Sequence, residues 1–218
     1  MKKGLTELVF ILDKSGSMSG LEKDTIGGYN SMLEKQKNID GEAFITTVLF
    51  DNRYELLHDR INIKAVNSIT EKEYQVGGST ALIDAIGRTI NKIGNAQKNT
   101  TEDYRAEKVM FVIITDGEEN ASCEFSSGEV KAMVEHQKEK YAWEFVFLGA
   151  NIDAVEVAGS FGISPDRAQS FHSDSEGTTL NYDTVSEAVA CFRQTAAMPA
   201  QWNKKIQEDF VRRNEHKR

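Results

Sequence analysis

Two unbroken apolar runs, Leu8–Leu12 and Val109–Ile114, constrain the fold of this chain more than any other feature. Each has the length of a strand and lacks the polar alternation expected where one face meets water, so each predicts a strand covered on both faces. Trp143–Leu148 reads as a third strand of this kind, broken only by Glu144. Between the last two, Ser127–Lys140 is predicted as a helix; between the first two, Ile83, Ile86, Ile90 and Ile93 form an apolar stripe in a helix opening at Thr80 and ending near Ala96. Buried strands alternating with helices need crossover connections, which make neighbouring strands parallel. The predicted fold is therefore a doubly wound α/β domain with a mostly parallel sheet and helices on both faces. Ala43–Phe50 and Arg53–His58, separated by Asp51-Asn52, predict a hairpin that places one antiparallel strand at an edge.

The remaining elements follow the same signals. Ser19 or Gly20 is expected to cap a helix reaching about Asn38, with Ile26, Tyr29 and Leu33 on one face. Further helices are predicted over Ile152–Phe161 and Thr184–Ala197, flanking a short strand at Ala168–Phe171, with a polar surface loop from Gln97 to Arg105. A last helix, from Pro199 to about Asn214, carries Trp202, Ile206 and Phe210 four apart, a stripe that should dock on the sheet. No internal repeat or Pro-rich linker divides the 218 residues, so one domain spanning 1–218 is expected.

Composition narrows the function classes. A net charge of −8 argues against nonspecific nucleic-acid binding, and Arg212, Arg213, Lys217 and Arg218 are read as solvated cations complementing a helix dipole. No run is long and apolar enough for a membrane span, and the amino terminus lacks the cleavage site of an export signal. A cytoplasmic location without membrane association is the expectation. Cys123 and Cys191 lie too far apart for a zinc or redox motif and are expected to be reduced packing residues. His58, His136, His172 and His216 accompany no nucleophile motif and are expected at the surface.

The chemistry is carried by three loops. After Leu12 come Asp13, Ser15 and Ser17 around Gly16; Thr80 lies in Gly-Gly-Ser-Thr-Ala-Leu before the isoleucine stripe; Asp116 follows Ile114 in Thr-Asp-Gly-Glu-Glu-Asn. Ligands of open α/β sheets bind beyond the carboxyl ends of strands, and a carboxylate with several hydroxyls suits a hard cation such as Mg²⁺. Taken singly, each loop has a simpler reading: a capping cluster, an N-cap and a turn former. The first motif alone arises by chance in on the order of one chain in twenty of this length at average residue usage.

In this order and context, the loops resemble those of a von Willebrand factor type A domain with a metal-ion-dependent adhesion site. The pattern Asp-x-Ser-x-Ser is matched by Asp13-Lys14-Ser15-Gly16-Ser17, its second-loop threonine by Thr80 and its third-loop aspartate by Asp116. The resemblance covers roughly Glu7 to Ala197 and is to the stand-alone bacterial or phage-like intracellular kind. It implies that Ser15, Ser17 and Thr80 coordinate Mg²⁺ directly, with Mn²⁺ or Ca²⁺ as substitutes, while Asp13 and Asp116 act through water or hydrogen bonds. It implies a non-enzymatic module in which a protein partner supplies an Asp or Glu carboxylate to the ion.

The competing class is a Mg²⁺-dependent phosphatase or phosphotransferase using Asp13. Against it, Ser15 stands where a second aspartate is wanted, no acidic pair accompanies Asp13, and no suitably placed lysine is evident. Around the site, Glu118, Glu119 and Asn120 either tune the partner's charge or form a solvated loop. Asp84 is a first-turn carboxylate or a support for the site, and turn chemistry accounts for Asp51.

Overall fold

The computed structural model describes residues 1–215; His216, Lys217 and Arg218 lie outside the described residues. Its centre is β1 (Lys2–Asp13), which pairs in parallel with β2 (Ala43–Phe50) on one side and β4 (Ala106–Thr115) on the other. β3 (Tyr54–Asn62) adds antiparallel to β2, while β5 (Glu144–Ala150) and β6 (Ala168–Phe171) add in parallel beyond β4. The resulting six-stranded sheet has the order β3-β2-β1-β4-β5-β6. The chain leaves β1 in one direction and reaches β4 in the other, so the crevice between their carboxyl ends is the topological switch point.

Both faces of β1 are covered, which is why its apolar run does not alternate. Leu8, Phe10 and Leu12 pack in one cluster with Tyr29 and Leu33 of α1 (Glu22–Lys37) and with Val185 and Val189 of α5 (Ser175–Thr195). Val9 and Ile11 pack in the other with Ile86, Ile90 and Ile93 of α2 (Leu82–Asn99) and Val130 and Val134 of α3 (Ser127–Tyr141). Short α4 (Ala154–Ser160) follows β5, and α6 (Lys204–Glu215) closes the chain. Among the described residues, no helix is long and apolar enough to cross a membrane.

Several boundaries differ from the sequence expectation, each for a local physical reason. α1 is capped by neither Ser19 nor Gly20: a 3₁₀ turn, Gly16–Met18, intervenes, and the Gly20 N–H donates to the Glu22 carboxylate at 2.8 Å. Thr80 does not open α2, which begins at Leu82, leaving its hydroxyl free of capping. The same helix runs into the first residues of the expected polar loop, as far as Asn99, where buried Gln97 donates to Glu7 at 3.4 Å. β3 continues beyond His58 to Asn62 through irregular pairing, with Arg60 at φ +50°.

The largest miss is α5, which starts at Ser175 instead of Thr184. Its first turns bury Thr178, Asn181 and Thr184 and so carry no apolar stripe, while Asp174 caps them by accepting from the Gly177 N–H at 2.9 Å. A side chain at Gly177 would meet the His172 carbonyl at 2.1 Å, so only glycine permits the helix to start so close to β6.

α6 begins at Lys204, with Pro199–Asn203 forming turns, and docks at the β6 edge: Trp202 Nε1 donates to the Asp166 carbonyl at 2.8 Å and Asn203 to Gln169 at 2.9 Å. Its arginines are not simply solvated. Arg213 binds the Asp174 carboxylate and Arg212 that of Asp209 at 2.6 Å, whereas Lys217 and Arg218 lie outside the described residues. Cys123 is exposed and Cys191 partly so, which corrects the packing expectation for both. Of the histidines, His136 is exposed, His58 is half-buried with Nδ1 at 3.0 Å from the Thr47 hydroxyl, and His172 stacks on Phe210; His216 lies outside the described residues.

Candidate metal centre

β1 delivers Asp13 to the switch point nearly fully buried, at 1% exposure. The chain then turns back on that side chain: the Ser15 N–H donates to Asp13 Oδ1 at 2.7 Å, and Thr115 Oγ1, at the end of β4, donates to Oδ2 at 2.5 Å. The buried Tyr74 hydroxyl donates to the Asp13 carbonyl. Both carboxylate oxygens are thereby occupied, one by the loop that carries Ser15 and Ser17 and the other by the end of β4. The hydroxyls of those serines lie 3.0 Å apart, and Ser17 donates onward to Asp116 Oδ1 at 2.6 Å.

The second loop is clipped to the first through the backbone. The Gly16 N–H donates to the Gly78 carbonyl at 3.0 Å and the Gly77 N–H to that of Lys14 at 2.9 Å. Gly78 has φ +78°, a backbone conformation that favours glycine. Thr80 is held from both sides. Its N–H donates to Asn120 Oδ1 at 2.9 Å, its carbonyl accepts from the Asn120 N–H at 3.0 Å, and the next N–H, of Ala81, donates to the Asp51 carbonyl at 2.9 Å.

The third loop closes the arrangement at Gly117. A Cβ built there would lie 3.0 Å from Ser17 Oγ and 3.5 Å from Thr80 Oγ1, so the hydroxyls of two loops face the same small space. All five predicted residues, Asp13, Ser15, Ser17, Thr80 and Asp116, are thus gathered at one end of the sheet. Their charge is unbalanced. Burial pushes the Asp13 carboxyl upward, outweighing its bonds from Thr115 and Ser15, and proximity to Asp116 adds to the rise. Burial likewise raises Asp116, against its bonds from Ser17 and Ser173.

Among the described residues no cationic side chain holds either aspartate, and the adjacent Lys14 is turned to Glu55 at 2.6 Å. Two buried carboxylates, converging hydroxyls and no resident cation form a donor set that fits a hard divalent ion. Among the described residues no group of three His, Cys, Asp or Glu side chains offers another metal site.

No protein-family model matches the sequence, and no curated protein matches it. Solved structures do. The chain is similar to a von Willebrand factor type A protein from Catenulispora acidiphila, at a TM-score of 0.57 and 13% identity over 85% of this chain and 42% of that one. It is similar to proximal thread matrix protein 1 from the mussel byssus, in a structure described as having a zinc-occupied MIDAS motif, at 0.56 and 15% over 85% and 46%. A D319A mutant of the PilB minor pilin from Streptococcus sanguinis gives 0.58 and 10% over 89% and 63%. The chain has the von Willebrand factor type A fold. It spans less than two thirds of the length of each of these proteins.

Within this type A fold, the supporting residues were not marked by the sequence motif. Thr115 was visible only as the residue before Asp116, and Ser173, in the loop after β6, donates to Asp116 Oδ2 at 3.3 Å from a stretch without any signal. Asn151 Nδ2 donates to the Asp116 carbonyl at 3.2 Å.

Asp84, of two readings, takes the structural one. It accepts the N–H groups of Cys123, Glu124 and Phe125, each at 2.9 Å; partial desolvation raises its carboxyl, but those three donors hold it below the usual range. Glu119 is also structural, accepting from Ile83, Ala121 and Ser122 N–H groups. Asn120, although exposed, positions Thr80, leaving Glu118 as the one of the three whose side chain makes no hydrogen bond among the described residues. Asp51 accepts from the Arg53 N–H at 2.6 Å as a turn former, and its carbonyl also anchors the second loop.

Proposed function

We propose that this chain is a non-enzymatic, Mg²⁺-dependent protein-binding module. The observation that carries the reading is the meeting of Ser17 and Thr80 hydroxyls over Gly117, beside two buried carboxylates that no basic side chain among the described residues neutralises. Ser15, Ser17 and Thr80 are the residues that would hold the ion; Asp116 orients the Ser17 hydroxyl by accepting from it, and Asp13 holds the first loop by accepting the Ser15 N–H and the Thr115 hydroxyl. Bound there, Mg²⁺ would supply a Lewis-acidic coordination position for an Asp or Glu carboxylate of a protein partner. The mussel protein with zinc in its motif supports divalent-ion binding at such a site; Mn²⁺ or Ca²⁺ are the alternatives to Mg²⁺ here.

The phosphatase reading requires a carboxylate oxygen free to attack. Asp13 is buried and spends both oxygens on Ser15 and Thr115, which favours the binding module. Melting curves with and without Mg²⁺ test the proposal: the metal should raise the melting temperature of the wild type and leave Thr80→Ala unmoved. A shift that survives Thr80→Ala refutes the ligand set, and phosphatase turnover lost in Asp13→Asn would replace the binding module with the enzyme.

A further inference from the structure

A groove of about 500 Å³ runs from Gly117 along the side of α4. Its floor is apolar, because Ile83, Ile152 and Val157 line it while packing partly buried against the core on that face of the sheet. Its walls are acidic, with Glu118, Asp153 and Glu156 lining it and no Lys or Arg among the described residues that do. Asp153 is engaged at the start of α4, accepting from the Val155 and Glu156 N–H groups at 3.1 and 3.0 Å. Glu118 and Glu156 are exposed and form no ion pair with any described residue. Other acidic side chains of the surface are paired, as where Glu187 meets Lys205 at 2.6 Å or Asp59 meets Lys92 at 2.8 Å.

Free carboxylates above an apolar floor are complemented by a side chain with an aliphatic stem and a cationic head. Gly117 borders the groove and also closes the candidate ion site, so a segment bound at the ion reaches the groove within a few residues. We propose that the groove receives a Lys or Arg of the protein partner, so that the recognised segment carries an Asp or Glu for the ion and a basic residue close to it in sequence. This rests on the metal-centre reading above and adds the sign and position of the partner's second contact. It excludes a uniformly acidic segment as the partner.

A synthetic peptide array tests it with the full chain. Each peptide carries one Asp in a Gly-Ser background, with Leu beside it and Lys, Arg, Ser or Glu placed one to four residues to either side. The array is probed in excess Mg²⁺ and in chelator with the wild type and with Glu156→Lys, whose melting temperature in chelator reports that it is folded. The wild type should retain Lys and Arg peptides about two- to tenfold more strongly than Ser peptides, and only with Mg²⁺. Glu156→Lys should lose that preference or turn it toward Glu.

Mg²⁺-dependent retention that is equal for Lys, Ser and Glu peptides overturns the groove assignment and leaves the metal centre standing, as does a preference unchanged by Glu156→Lys. Absence of Mg²⁺-dependent retention on every peptide overturns the groove as well. The Mg²⁺ melting shift, read on the same proteins, then separates the two cases: a shift that persists spares the metal centre, and a missing shift removes both.

Discussion

Along the stretch of β1 that pairs with β2, Thr6–Asp13, each end buries a carboxylate, Glu7 at 0% and Asp13 at 1% exposure, and each is pushed above its usual range by burial. At the amino end the sheet supplies its own cation: Arg60 Nε donates to Glu7 Oε2 at 2.9 Å and Gln97 adds a weaker bond. At the carboxyl end Asp13 and then Asp116 receive only hydroxyl and amide donors among the described residues, with no cation among them. The contrast teaches that a buried carboxylate does not by itself mark a metal site. A missing internal cation, together with hydroxyls that converge and are not spent on capping, distinguishes one end from the other.

Making the amino end resemble the carboxyl end is the most disruptive test. Arg60→Gln leaves Glu7 buried without its cation and should cost about 3 kcal/mol at neutral pH, read by denaturant unfolding. The sign of its pH dependence follows from the direction of the shift. A carboxyl raised in the folded state keeps its proton more tightly than in the unfolded chain, so its contribution is intact below the unfolded value and is lost as pH rises through the folded one. The deficit of Arg60→Gln should therefore shrink on acidification; a deficit independent of pH would mean that Arg60 acts by packing.

Filling the carboxyl end comes next. With Mg²⁺ at about a hundredfold above its dissociation constant, the wild type should gain about 2.7 kcal/mol. Asp13→Asn should abolish that gain while remaining within about 1 kcal/mol of the wild type in chelator, since the amide keeps the bond from the Ser15 N–H and can donate to Thr115. If calorimetry shows Asp13→Asn binding Mg²⁺ normally, the uncompensated charge is not what draws the ion.

Thr115→Val removes the donor to Asp13 Oδ2 and should weaken Mg²⁺ about tenfold in the same titration, with little change in its enthalpy of unfolding. The smallest effect is expected for Ser173→Ala, which loses a 3.3 Å bond to Asp116 and should cost about 0.5 kcal/mol of metal affinity. Equal losses in these two variants would contradict the ranking of Asp13 as the more tightly held aspartate.

Much of this site could be read before any fold was known, because Asp13, Ser15 and Ser17 are adjacent in the chain and Gly77-Gly78 and Gly117 announce the turns that present Thr80 and Asp116. Its supports could not. Thr115 and Ser173 are ordinary hydroxyl residues whose significance comes from the aspartates they reach 102 and 57 positions away. The start of α5 was illegible for a related reason: periodicity detects apolar faces, and this helix buries Thr178, Asn181 and Thr184 instead. Asp84 gathers the N–H groups of Cys123, Glu124 and Phe125 from 39 to 41 positions away, and Glu119 ties its neighbours Ala121 and Ser122 to Ile83 at the start of α2, partners that the motif does not name.

The sequence by itself determined the alternation of buried strands and helices, the antiparallel edge, and the identity of the five oxygen-bearing residues, since apolar periodicity and turn chemistry are local properties of the chain. The tertiary structure decided which of the many acidic residues are spent on capping and pairing and which remain unbalanced at the end of β1. Charge compensation is set by distances through space, and a linear sequence does not contain those distances until the sheet has brought its loops together.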